Sequence, residues 1–207
     1  MPNYVVQVSR VAKPGHSTQV LDAVVAQAER GSGQRNVSIS VNADTGSGHL
    51  IVGAMVFDSI EKVEALSDRI SSTPELRSNS ENIDSHCESS RVEILRVIEP
   101  MENPPSESKF MVRNLIKAQP GKAGDLLSAL LDLRHHFDAG ANLPLITVPF
   151  VGDQDLVRAT AMYDSLKSFE AQNDFLNTDS LKPYLDKIRS VRQSYVRHTA
   201  RMVFMSS

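Results

Sequence analysis

Tyr4-Val5-Val6-Gln7-Val8-Ser9-Arg10-Val11-Ala12-Lys13-Pro14-Gly15 and Phe110-Met111-Val112-Arg113-Asn114-Leu115-Ile116-Lys117-Ala118-Gln119-Pro120-Gly121 are one kind of segment met twice. Each is an alternating run rich in β-branched and apolar residues, the pattern of a strand, stopped by a Pro-Gly pair. Pro14 lies on Pro120, and that offset of 106 continues without a gap. It sets Leu21 on Leu127, Ala23 on Ala129, Asn36 on Asn142, Gly46 on Gly152 and Leu50 on Leu156. It also sets Phe57-Asp58-Ser59-Ile60 on Tyr163-Asp164-Ser165-Leu166, and Glu64-Ala65 on Glu170-Ala171. An offset that survives over more than half of each copy marks an internal repeat. The sequence therefore divides into residues 1–100, a polar, proline-rich linker over 101–108, and residues 109–207.

The elements within a copy follow from periodicity. The first strand spans Val5–Val11, and Val20, Leu21, Val24, Val25 and Ala28 then recur at helical spacing, answered by Leu126, Leu127, Leu130 and Leu131. Val37, Ile39 and Val41 alternate with Ser38, Ser40 and Asn42, as in a half-buried strand. Asp44-Thr45-Gly46-Ser47-Gly48 reads as a hairpin turn, since no lysine follows to make it a phosphate loop. Leu50–Phe57 is an apolar strand, and Asp58 with Glu61 predicts a capping box that opens a helix at Ser59. Leu181, Tyr184, Leu185, Ile188 and Val191 give the second copy a late apolar helical face. Residues 73–89 of the first copy are too polar for that and are expected to be exposed or irregular, the alternative being that they border a polar pocket. Last strands are expected near Arg91–Ile98 and Val196–Phe204. The resulting order, strand, helix, strand, strand, helix, strand, is the α+β ferredoxin-like βαββαβ unit, whose sheet keeps one face uncovered. Two such antiparallel sheets packed face to face would close an intramolecular barrel.

Composition narrows the function classes. The 207 residues carry a net charge of -3 and only 5% aromatics, which argues against a nucleic-acid groove. No apolar run approaches the roughly 20 residues that span a bilayer. Met1-Pro2-Asn3-Tyr4 is not a charged leader before an apolar run, and the single cysteine, Cys87, excludes an intramolecular disulfide. A cytoplasmic protein with a small-molecule partner, no nucleic acid and no membrane is the expectation, with a homodimer of the fused chain as an allowed assembly.

The strand running into Lys13-Pro14-Gly15-His16 and Gln119-Pro120-Gly121-Lys122, with the Phe57-Asp58-Ser59 and Tyr163-Asp164-Ser165 junctions, resembles the dimeric α/β-barrel superfamily. The likeness is to its antibiotic-biosynthesis-monooxygenase and stress-responsive branch, and it runs over nearly the whole chain, twice. It implies the barrel fold and a site for a small, largely apolar organic molecule. Two functions follow from it: cofactor-independent monooxygenation, or non-catalytic ligand binding or a structural role on the same fold. Haem-degrading members of the superfamily use a strand asparagine, a helix tryptophan and a histidine further along. Asn114 falls on the asparagine, where the first copy has Val8; the chain has no tryptophan, and Leu185 falls at the ligand position.

Among candidate site residues, His135-His136 stand about 100° apart on a helix and chelate poorly. His16 is expected at a helix start, His49 on a loop, and His86-Cys87 as a surface histidine beside a partly buried thiol. No spacing of Cys and His matches a zinc site, and no cofactor is expected. The polar strand residues Arg113, Asn114, Arg158 and Tyr163 are the expected ligand contacts, with Gln7, Val8, Val52 and Phe57 at their places in the first copy. Arg113 and Asn114 are consecutive on a strand and must face opposite sides of the sheet. Any small-molecule site is therefore expected in one half, the second. Titrating haemin into the protein is expected to give no sharp Soret band; a band abolished by His198→Ala would show that this last-strand histidine ligates haem after all.

Overall fold

The computed structural model describes residues 3–43, 48–138 and 140–206, so Asp44–Ser47 of the expected hairpin turn lie outside the described residues. The first half contains β1 (Tyr4–Ala12), α1 (Ser17–Arg30), β2 (Arg35–Ala43), β3 (His49–Phe57), α2 (Ile60–Ser72), α3 (Pro74–Ser85) and β4 (Cys87–Glu99). The second repeats the series with β5 (Phe110–Ala118), α4 (Ala123–His135), β6 (Leu145–Pro149), β7 (Leu156–Tyr163), α5 (Leu166–Leu176), α6 (Lys182–Val191) and β8 (Arg192–Ser206). The hydrogen-bonded strand order is β1-β3-β2-β8-β5-β7-β6-β4, an antiparallel closed barrel. Each repeat carries the same internal order, β4-β1-β3-β2 and β8-β5-β7-β6. By compactness the chain forms one unit of Met1–Arg96 with Ala200–Ser207, and another of Val97–Thr199.

The repeat extends to individual hydrogen bonds. β1 pairs with β3 from Tyr4↔Phe57 to Val11↔Leu50, and β5 with β7 from Phe110↔Tyr163 to Lys117↔Leu156, the same register at the same offset. Burial along β1 and β5 is residue-for-residue identical. Gly15 and Gly121 turn the chain out of these strands with φ of +81° and +75°, a region that favours glycine because a Cβ would crowd the backbone there. After each turn the helix opens the same way: the Val20 amide donates to the His16 carbonyl, and the Leu126 amide to the Lys122 carbonyl.

Some elements differ from the sequence reading. Residues 73–89 are not irregular: α3 begins with Pro74 in its first turn, where the missing N–H costs nothing, and Ile83 anchors it in the core at 2% exposure. Each repeat thus has two helices between its third and fourth strands. The expected capping box at Asp58 does not form. Ser59 is the N-cap of α2, and the Asp58 carboxylate instead takes the Lys62 ammonium at 2.7 Å. In the second repeat the Ser165 hydroxyl does cap α5, accepting from the Ser168 amide. His49 is not on a loop but opens β3, its ring Nδ1 3.0 Å from the Ser40 carbonyl oxygen. The last strands also start earlier than the apolar pattern indicates, at Cys87 and Arg192, because their first turns of polar residues are exposed.

Each unit has a helix-covered core of its own. In the first, Val20 and Val24 of α1 pack with Val37, Ile51, Ile83 and Cys87. In the second, Leu126, Ala129, Leu130 and Leu133 of α4 pack with Ile116, Ile146, Val157, Leu181 and Ile188. Leu126 is fully buried, so Leu126→Ala is expected to destabilise the protein by about 2–5 kcal/mol through lost burial and the cavity left behind. Urea unfolding should show it as a lower midpoint with an unchanged slope.

Candidate functional site

Alternation along β5 sorts its residues between two faces. Val112, Asn114, Ile116 and Ala118 take the side covered by α4, α5 and α6, while Met111, Arg113, Leu115 and Lys117 take the other. On β7, Val157, Ala159, Ala161 and Tyr163 share the helix side, and Arg158 stands opposite. Between sheet and helices lies a cavity of about 410 Å³, all of whose lining residues belong to the second unit. Ile116, Leu130, Leu133, Phe137, Ile146 and Leu185 line it with hydrocarbon, and Asn114, Tyr163, Asn173, Tyr195 and Arg197 make its polar end.

Of the four residues singled out from the sequence, the fold brings Asn114 and Tyr163 into this cavity. Arg113 and Arg158 are buried on the opposite face, at 6% and 4% exposure, and are not among its lining. Burial, then the charge of Arg158, lowers the Arg113 pKa to about 10, which leaves the guanidinium cationic at neutral pH.

Asn114 is the centre of a side-chain network. Its Oδ1 accepts from the Tyr195 hydroxyl at 2.6 Å and from Arg197 Nε at 2.9 Å, and Arg197 Nη1 donates to Asn173 Oδ1 at 3.1 Å. The Arg197 guanidinium also lies over the rings of Phe169 and Tyr195, 5.2 and 5.6 Å from their centroids. Tyr163 meets the edge of Phe169, and among the described residues its hydroxyl has no hydrogen-bond partner.

Arg192, Asn173, Tyr195 and Arg197 were missed by the sequence reading. β8 was expected to begin at Val196, so its first residues were not assigned to a strand. The signal was there: Tyr195 and Arg197 are two apart and must share a face of any strand that includes both. The repeat would have sharpened it. Burial along β4 and β8 matches best when Leu95 is set on Ala200, one residue short of the main offset. Ser90 and Val92 then stand where Tyr195 and Arg197 stand, so the first half lacks the network.

The first half also uses the matching space differently. Arg10 occupies the position of Ile116; its Nε donates to Asp84 Oδ1 at 2.7 Å and its Nη2 reaches the Ser80 hydroxyl on α3. A buried guanidinium thus fills the sheet-to-helix gap that the second half leaves open. Two histidines of the first half form a surface group: His16 stacks on His86 at 5.1 Å, with Gln19 bridging both rings. Cys87 points inward, its thiol donating to the Ile83 carbonyl; burial pushes its pKa up, with Arg10 opposing, so it is a packed thiol and not an activated thiolate. In the second half His136 accepts from the Tyr184 hydroxyl while its Nδ1 donates to the Asp132 carbonyl, tying α4 to α6. Among the described residues no cluster of three His, Cys, Asp or Glu could hold a metal ion, and no helix is long and apolar enough to cross a membrane.

Burial raises the Tyr163 pKa to about 12, against a smaller lowering by Arg197. The phenol is therefore a hydrogen-bond donor at neutral pH, not a base. An unfolded tyrosine ionises near 10, so the folded state holds its proton more tightly. That contribution to stability is complete below pH 10 and declines as pH rises through 10 to 12. Absorbance titration at 295 nm should show one tyrosine ionising near pH 12, missing in Tyr163→Phe.

No known protein-family profile and no curated protein matches the chain. Solved structures do. An anthrone oxidase-like protein superposes with a TM-score of 0.74 at 14% identity, over 100% of this chain and 94% of its own. A candidate monooxygenase from Fusobacterium nucleatum gives 0.71 at 11% identity, covering 100% and 95%. A major regulator of staphylococcal pathogenesis gives 0.55 at 13% identity, covering 95% and 98%. Proteins so different in description, sharing architecture at such low identity, attest the fold and leave the activity to the site. The chain has the dimeric α/β-barrel fold, carried by two repeats on one polypeptide.

Proposed function

We propose that the cavity of the second unit binds a small, largely apolar organic molecule. The observation that carries this reading is the cavity itself: about 410 Å³ of mostly hydrocarbon-lined space into which Tyr163 presents an uncommitted hydroxyl. That volume lies within the roughly 300–1,000 Å³ typical of small-molecule sites, where apolar walls supply affinity and a few polar groups fix orientation. Asn114 and Tyr163 would orient the ligand's polar group; Arg113 and Arg158, on the opposite sheet face, would act only through the barrel wall. The tandem division into residues 1–100 and 109–207 around the linker 101–108 belongs to the same reading, with the second half as the binding half. So do a cytoplasmic location and a homodimer of the fused chain, which sedimentation of the purified protein would reveal.

A second reading, cofactor-independent oxygenation of the bound molecule, is favoured by Tyr163. A phenol held protonated beside an apolar cavity can donate to an oxyanion developing on a substrate. The anthrone oxidase-like and monooxygenase-like neighbours support the same chemistry. Without catalysis, the same cavity makes a ligand-binding protein.

The test uses 1-naphthalenemethanol, a neutral aromatic alcohol, titrated into the whole protein by calorimetry. Wild type is expected to bind it, and Ala161→Phe, which fills the cavity from β7, to weaken binding by more than about tenfold with the circular dichroism unchanged. Equal binding by the variant would move the site elsewhere. An oxygen electrode run on the same mixtures then separates the two readings. Ligand-dependent oxygen uptake that Tyr163→Phe slows indicates an oxygenase, and binding without uptake indicates a binding protein.

A further inference from the structure

We infer that the natural ligand carries an anionic group, a carboxylate or an oxyanion of similar size, held between Arg192 and Arg197. The inference rests on the binding role given to the cavity above and specifies its ligand class. Four arginines line the cavity, and none of its lining residues is an aspartate or glutamate. Two of the four are neutralised locally: Arg134 by Glu102 and Arg189 by Asp186, at 2.7 and 2.8 Å. Arg192 and Arg197 have no carboxylate partner among the described residues.

Both guanidiniums lie against one ring, that of Tyr195, at 5.4 and 5.6 Å from its centroid. Two like charges gathered at one ring repel each other, and the ring quadrupole offsets only part of that. An anion between them would convert the repulsion into attraction. The Arg197 side chain is set for this. Its Nε and Nη1 are committed to the neutral oxygens of Asn114, Tyr195 and Asn173, which fix the plane of the guanidinium without cancelling its charge. Nη2 remains to donate to a ligand, and Arg192, whose backbone N–H caps α6 on the Ile188 carbonyl, has all its guanidinium N–H groups available among the described residues. Planar guanidiniums match carboxylates well. The first half has Cys87 and Val92 at the matching positions, so the charge pair is particular to the half with the cavity.

A matched pair of probes tests this: 1-naphthoate, and 1-naphthalenemethanol, which replaces its carboxylate by a neutral CH₂OH. They are titrated into wild type, Arg192→Gln, Arg197→Gln and the double variant, at low and high salt. Wild type is expected to prefer naphthoate by about tenfold or more, as charge-assisted hydrogen bonds are stronger than neutral ones. Each single variant should reduce that preference and the double variant should abolish it, with the loss falling on naphthoate much more than on the alcohol. Failure of both probes to bind wild type would overturn the cavity reading itself. Binding of both with equal affinity would overturn the anion inference and leave the cavity reading standing. A naphthoate preference that persists in the double variant would also overturn it, by locating the anion contact elsewhere.

Discussion

A β-strand can offer a residue and its neighbour only to opposite sides of its sheet, and β5 lies inside its sheet between β7 and β8. That geometric rule sends Asn114 into the sheet-to-helix space and Arg113 out of it. Once Asn114 is placed, the rest of the polar end follows. Its carbonyl oxygen gathers Tyr195 and Arg197 from β8, and Arg197 in turn holds Asn173 of α5. One amide on the strand thus links sheet and helix side chains around the cavity. The register of β5 on β7, fixed from Phe110↔Tyr163 onward, puts the Tyr163 phenol on the same side.

The two halves show how one topology reaches two outcomes. At the position of Ile116 the first half has Arg10, and a buried arginine needs a partner close by. Asp84 and Ser80 supply it from α3. The space under the helices is thereby crossed by an ion pair in one half and left hollow in the other. A fused pair is free to diverge in this way, since no symmetry operation ties one copy to the other. α3 illustrates the same economy: with so few apolar residues it is held at its end by Ile83 and along its side by Asp84.

The chemical character of the cavity follows from charge placement more than from any single reactive group. Tyr163 is kept protonated by burial, Cys87 is packed with its thiol turned inward, and the paired histidines of the first half lie at the surface. The cavity of the second unit combines apolar walls, hydrogen-bond donors and two arginines with no carboxylate partner among the described residues.

The repeat, the strand and helix order, the Pro-Gly turns and the placement of Asn114 and Arg113 on opposite faces were all legible in the sequence, because they depend on local periodicity and on backbone conformation. Residues 73–89 were not, because α3 survives on one buried isoleucine and an ion pair to a residue 74 positions away in sequence. Arg192 and Tyr195 escaped notice for a similar reason: an exposed polar run looks like a loop until β8 extends through it. Whether Tyr163 and Asn114 share a cavity, and whether Arg10 fills the equivalent space, depends on side chains brought together across the sheet by register and helix packing. Those contacts join residues far apart in the chain, and only the tertiary structure decides them.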